Sequence, residues 1–211
     1  TAAPPAAPQT TEPPAAPAET EEAAEVPTTG DYQLPEGAEG IIPLEEGSQA
    51  TTPVAYKPGD PIKVAYMPPA TEFNYYMAIG EGIKALAAEK GVETFMLAPQ
   101  SGSDIATQMK MLQDVTTQDV DAIILAPVVT SGWDEVLQEA QDMGIPVVIV
   151  DRDVDADPSL YVTRVSSDFV HEGRLAAAWL VQATSGTCNI AELYGTVGSA
   201  AAEDRATGFR E

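Results

Sequence analysis

Cysteine and histidine are nearly missing from the 211 residues: Cys188 and His171 are the only representatives of their kinds. A lone thiol forms no internal disulfide, and common zinc sites and Ser-His or Cys-His catalysis are short of parts. Basic residues are scarce as well, with Lys and Arg totalling 10 against 33 Asp and Glu, for a formal net charge of −23. A field of that sign repels phosphate backbones, and no basic patch offsets it, so nucleic-acid binding is excluded. Long apolar runs are absent too. The longest, residues 122–129, is interrupted by Pro127 and falls well short of the roughly 20 residues of a membrane helix.

Proline is plentiful but unevenly placed. Residues 1–61 carry 12 of the 18 prolines, and 1–29 are almost wholly Ala, Pro, Thr and Glu. Such a segment cannot bury enough apolar surface to offset an ordering cost of about 1–2 kcal/mol per residue. Residues 1–60 are therefore expected to be a disordered, extended tether. Eleven acidic residues against Lys57 alone make it self-repelling. A generic disordered terminus without a role fits the same composition. The chain opens on Thr1 without a signal-like segment, which suggests processing.

From residue 61 strand and helix signals alternate. Residues 62–67 (IKVAYM) read as a buried strand, and Tyr76, Ile79, Ile83, Leu86 and Ala87 as one face of a helix stopped at Gly91. A second strand spans 94–97, and Asp104 caps a helix whose apolar positions include Ile105, Met109, Leu112 and Val115. Residues 122–127 form a third strand, apolar enough to be covered on both faces. A helix over 133–143 ends at Gly144, and 145–150 is the fourth strand. This order gives a doubly wound parallel α/β sheet over residues 61–166. Past a short β-like run at 160–165, residues 167–211 begin a second α/β lobe: a helix over about 168–183, a strand over 188–194, and a helix from Ala200. Two or three strands cannot complete a sheet of this class, so that lobe reads as incomplete.

In open α/β sheets ligands bind outside the carboxyl ends of the strands. A dinucleotide fails there, since residues 67–71 (MPPAT) offer no glycine for a pyrophosphate, and Gly195 to Gly198 lacks the Lys of a P-loop. No cofactor or metal is expected. What remains is carboxylate, guanidinium and aromatic rings, as in Asp151, Arg152, Tyr75 and Tyr76. Asp accepts from hydroxyls, Arg donates to oxygens, and ring faces cover sugar C–H surfaces. Taken alone, Asp151 and Arg152 also fit a strand-end ion pair or cap, and the tyrosines fit a helix core.

The stretches 126–134 (APVVTSGWD), 145–152 (IPVVIVDR) and 188–198 (CNIAELYGTVG) resemble the type I periplasmic solute-binding proteins of sugar ABC transporters, the ribose-binding-protein group, and in particular its galactofuranose-binding branch. The resemblance runs over about 150 residues. It implies a two-lobed periplasmic-binding-protein type I fold that captures a monosaccharide and delivers it to a permease. It also implies a monomer outside the cytoplasm, with a possible lipid anchor at a Cys not in this sequence. Asp151 and Arg152 then hold sugar hydroxyls from the first lobe and Arg205 reaches the ligand from the second. Tyr75 and Tyr76 stack, Glu72 adds a polar contact, and Ser167 and Asp168 fall at the crossing between lobes. Tyrosines stand where the galactofuranose branch looks more like Gly-Trp, which leaves other pentoses and hexoses open.

The same fold serves as the sensing domain of regulators and membrane sensors. A regulator needs a basic helix-turn-helix, whereas residues 1–60 carry one Lys. Asp151 and Glu72 could form a glycosidase-like carboxylate pair, but the adjoining Arg suits binding better than catalysis. Brief proteolysis is expected to trim the chain to a resistant piece starting near about residue 60. Strong hydrogen-exchange protection of Thr10 and its neighbours up to Thr29 would contradict the tether.

Overall fold

The computed structural model describes residues 61–102 and 104–211. The expected tether, residues 1–60, lies outside the described residues. Five parallel strands form one sheet: β1 (Lys63–Met67), β2 (Glu93–Met96), β3 (Ala122–Leu125), β4 (Val147–Val150) and β5 (Thr163–Val165), in the order β2-β1-β3-β4-β5. Helices α1 (Asn74–Lys90), α2 (Ile105–Thr116) and α3 (Asp134–Asp142) connect the first four. The chain steps outward from β1 to β2, then returns past β1 and builds the other way. The switch point therefore lies between β1 and β3, where an open α/β sheet has its crevice.

Local signals account for most boundaries. The Asp104 carboxylate accepts from the Thr107 N–H at 3.1 Å and caps α2. Gly91 (φ 70°) closes α1 in the left-handed conformation, and Gly144 (φ 74°) follows α3 in the same way. Register fixes which side chains are buried: Ala65, Met67, Ile123, Leu125, Val147 and Ile149 pack with Leu112, Val115, Trp133, Val136, Leu137 and Ala140 of α2 and α3.

Five expectations are revised. Residues 160–165 do not stand apart: β5 pairs with β4, its Val165 opposite Val150, and extends the first sheet to five strands. The third and fourth strands are fully buried on one face only; Ile124, Val148 and Val150 on the other are half-buried. Leu86 is 55% exposed, because α1 packs mainly along the edge strand β2 and turns that residue away. Residues 188–194 form no strand. Leu193 is 97% exposed there, and without a neighbouring strand no ladder can form. Trp133, expected to begin α3, instead caps it, its indole N–H donating to the Val129 carbonyl at 2.7 Å.

Beyond the sheet, α4 (Phe169–Thr184) and α5 (Ala200–Arg210) pack on each other through two glycines. A Cβ at Gly208 would fall inside the van der Waals shell of the Val170 carbonyl, and one at Gly173 inside that of the Arg205 carbonyl. Replacing a helical Gly by Ala ordinarily gains about 1 kcal/mol. Here both obstacles are backbone, and overpacking costs about 1–3 kcal/mol or more. Gly208→Ala is thus expected to lower stability in urea unfolding. An unchanged or raised midpoint would contradict this close approach.

Candidate functional site

The site begins where β4 ends. The Asp151 N–H still bonds the Val165 carbonyl at 2.8 Å, but Asp151 itself takes φ 64° and the Arg152 N–H turns back to the Val150 carbonyl at 2.8 Å. A continuing strand would send consecutive side chains to opposite faces. This three-residue turn breaks that alternation at the carboxyl edge. The left-handed region is one that Asp tolerates better than most residues. The Ser166 hydroxyl bonds the Asp151 carbonyl and secures the turn from β5.

The Asp151 carboxylate accepts from two neighbouring phenols, Tyr76 at 2.5 Å and Tyr75 at 3.3 Å. Helix α1 supplies both from its first turn, and their rings meet edge to face with centroids 5.1 Å apart. Tyr76 is buried, whereas Tyr75 is 60% exposed and presents its ring to solvent. Arg152 is buried at 8% exposure, with its guanidinium 5.5 Å from the Tyr76 ring centroid and 5.9 Å from that of Phe73. Its Nη1 donates to the Val128 carbonyl at 2.9 Å. Its Nε, buried as well, has no hydrogen-bond partner among the described residues.

Arg205 comes from α5, and of the cluster just described Arg152 lines the cleft beside it. Arg205 lies 4.3 Å above the Phe169 ring and donates from Nε to Glu172 at 2.8 Å. The glycine-mediated packing of α4 and α5 sets the backbone that carries Arg205, and these two contacts engage its half-exposed side chain. A cleft of about 1010 Å³ is lined by Arg152, Glu172, Arg205 and residues 188–196. Glu72 sits apart. Its carboxylate accepts from the Gly102 N–H at 2.8 Å and borders a separate recess with Phe73, Val128, Val129 and Thr196. Ser167 is exposed; its carbonyl accepts from Ser166, the serine that actually touches Asp151.

The structure therefore gathers Asp151, Arg152, Tyr75 and Tyr76 and brings Arg205 toward them, but not Glu72 or the Ser167 side chain. Phe169 and Glu172, which hold Arg205, went unnoticed in the sequence. Their spacing on α4 marks only an ordinary amphipathic helix.

Burial first, and the Asp151 charge after it, raises Tyr66; burial and then the hydrogen bond to Asp151 raise Tyr76, both well above an ordinary phenol. Raised folded values mean that their contribution to stability is complete below about pH 10, where unfolded tyrosines ionise, and is lost as pH climbs toward the folded values. Phenolate absorbance should show Tyr66 and Tyr76, among seven tyrosines, ionising only as the protein unfolds. Titration of all seven near pH 10 with the fold intact would contradict that burial.

The periplasmic binding protein domain family matches residues 64–211. The chain is 39% identical over 153 residues to the galactofuranose-binding protein YtfQ of Escherichia coli K12, covering 72% of this chain and 48% of that protein. To the ribose import binding protein RbsB of Bacillus subtilis 168 it is 30% identical over 135 residues, covering 64% and 43%. Among solved structures, the binding protein of the arabinose ABC transporter of Shewanella sp. ANA-3, bound to L-arabinofuranose, is 43% identical at a TM-score of 0.65, covering 70% of this chain and 49% of the other. A galactofuranose binding protein is 38% identical at a TM-score of 0.66, covering 71% and 50%. The chain thus spans about half the length of the relatives it matches. With its parallel sheet, its switch-point crevice and a family match over most of its length, the chain belongs to the periplasmic binding protein family.

Proposed function

We propose that the chain is part of an extracytoplasmic solute-binding protein that captures a monosaccharide and passes it to an ABC transporter permease. The observation that carries the proposal is the buried Arg152 guanidinium with an unpartnered Nε beside the Asp151 carboxylate. A buried polar group left without a hydrogen bond costs about 1–3 kcal/mol, so an arrangement that keeps one suits a ligand oxygen. The neighbouring Asp151 supplies only acceptors, and Arg152 only donors. A sugar hydroxyl, which both accepts and donates, answers the two at once. One carboxylate beside one guanidinium also leaves the pair without net charge, which favours a neutral sugar over a phosphorylated one.

In this reading the exposed Tyr75 ring covers the C–H face of the sugar and Arg205 approaches from the second lobe. Ser167 lies at the crossing, and Glu72, held by Gly102, lines the outer recess. The relatives named for arabinofuranose and galactofuranose make a furanose the first ligand to try. No catalytic step is assigned.

Calorimetric titration with arabinose, galactose and ribose, on the protein at the length of its relatives, tests this. Asp151→Ala and Arg205→Ala should each weaken binding by about tenfold or more, since hydrogen bonds to charged groups contribute about 1.5–3 kcal/mol. Unchanged affinity in both variants would overturn the residue assignment. No binding of any monosaccharide would overturn the function.

A further inference from the structure

Helix α2 buries two polar side chains, Thr116 in its last turn and Gln108 in the middle of its packed face. Gln108, one turn before Leu112, is fully buried. All its polar atoms are nonetheless engaged. Nε2 donates to the carbonyls of Ala126 at 2.9 Å and Pro68 at 3.0 Å, with a longer contact to that of Met67 at 3.4 Å. Oε1 accepts from the Val128 N–H at 2.8 Å.

These partners mark the place where the β1–β3 ladder ends. Its last bond runs from the Ala126 N–H to the Met67 carbonyl at 2.9 Å. Pro69 has no N–H to continue it toward the Ala126 carbonyl. The two chains part there, and the carboxamide fills the gap as a substitute rung. One chain leads to Phe73, Tyr75 and Tyr76. The other holds Val128, whose N–H is on Gln108 and whose carbonyl takes Arg152 Nη1 at 2.9 Å. Two successive bonds therefore connect the helix to the guanidinium. We propose that Gln108 is a positioning residue: it sets where Arg152 stands, and through Arg152 the affinity for ligand, without touching the ligand itself. The ligand half of this inference rests on the sugar-binding reading above; the Arg152 half does not.

Gln108→Met keeps the shape of the side chain and removes all its hydrogen bonds. Leu112→Ala, on the same face, removes packing alone and serves as the destabilised control. Proton–nitrogen spectra of the sugar-free protein should show the Arg152 guanidinium signals shifted and averaged by freer rotation in Gln108→Met, but not in Leu112→Ala. Arabinose or galactose affinity should fall about tenfold in the first, roughly one charge-assisted hydrogen bond, and little in the second. Should Gln108→Met not fold, Gln108→Glu replaces it. Its carboxylate keeps the bond from the Val128 N–H but leaves the Ala126 and Pro68 carbonyls without a donor until it is protonated, so the Arg152 signals should be displaced at neutral pH and return toward the native ones as pH falls, a dependence the native protein would not share. Unaltered Arg152 signals in the Gln108 variants, or equal changes in Leu112→Ala, would overturn the positioning role. Altered signals in a protein that binds no sugar would instead count against the sugar-binding reading and leave the positioning role standing.

Discussion

A hydrogen-bond ladder ends at Pro69. Strands β1 and β3 pair as far as Met67 and Leu125, and one further bond joins Ala126 to Met67. The next rung would need an N–H from residue 69, which is Pro69, and the Val128 N–H that would follow it is held by Gln108 instead. The chains must separate at the topological switch point of the sheet. The loops so released carry the aromatic cluster on one side and the acceptor for Arg152 on the other. Gln108 closes the interior end of the split and leaves its outer end as a crevice.

Within that crevice the electrostatics are balanced rather than strong. The chain is heavily acidic overall, yet the innermost charges are one carboxylate and one guanidinium on consecutive residues. Two phenols engage the carboxylate, and rings flank the guanidinium. Arg152 keeps part of its donor capacity unspent, so the cost of burying it is only partly offset inside the protein. Arg205 across the cleft differs: it is half exposed and already paired with Glu172, and can exchange that partner cheaply. One arginine is held by its surroundings; the other can change partners.

Period and punctuation made the first sheet legible. Apolar runs at 62–67, 122–127 and 145–150, with Asp104, Gly91 and Gly144 between them, mark elements that local physics decides. What went unread depends on partners far away in sequence. The β-like run at 160–165 was visible, but that Thr163–Val165 joins the first sheet follows only from its pairing with β4. Residues 188–194 have a strand's sequence but no strand beside them. Asp151 and Arg152 could be located as a strand-end pair, but their turn, with φ 64° at Asp151, follows from the β4–β5 edge and not from a local motif. Gln108 left a faint trace: an amide at an apolar position of α2, whose purpose appears only when β1 and β3 are seen to part. Glu72 and Ser167 were placed near the ligand by resemblance, whereas their bonds to Gly102 and from Ser166 tie them to the loops around it.

The central claim is that Arg152 holds a buried donor for a sugar oxygen. Hydrogen exchange and chemical shift of the Arg152 Nε–H, followed while the protein at the length of its relatives is saturated with arabinose or galactose, test it most directly. The account predicts that exchange slows and the signal shifts in proportion to the fraction bound. Saturable sugar binding that leaves the Nε–H signal and its exchange unchanged would contradict it.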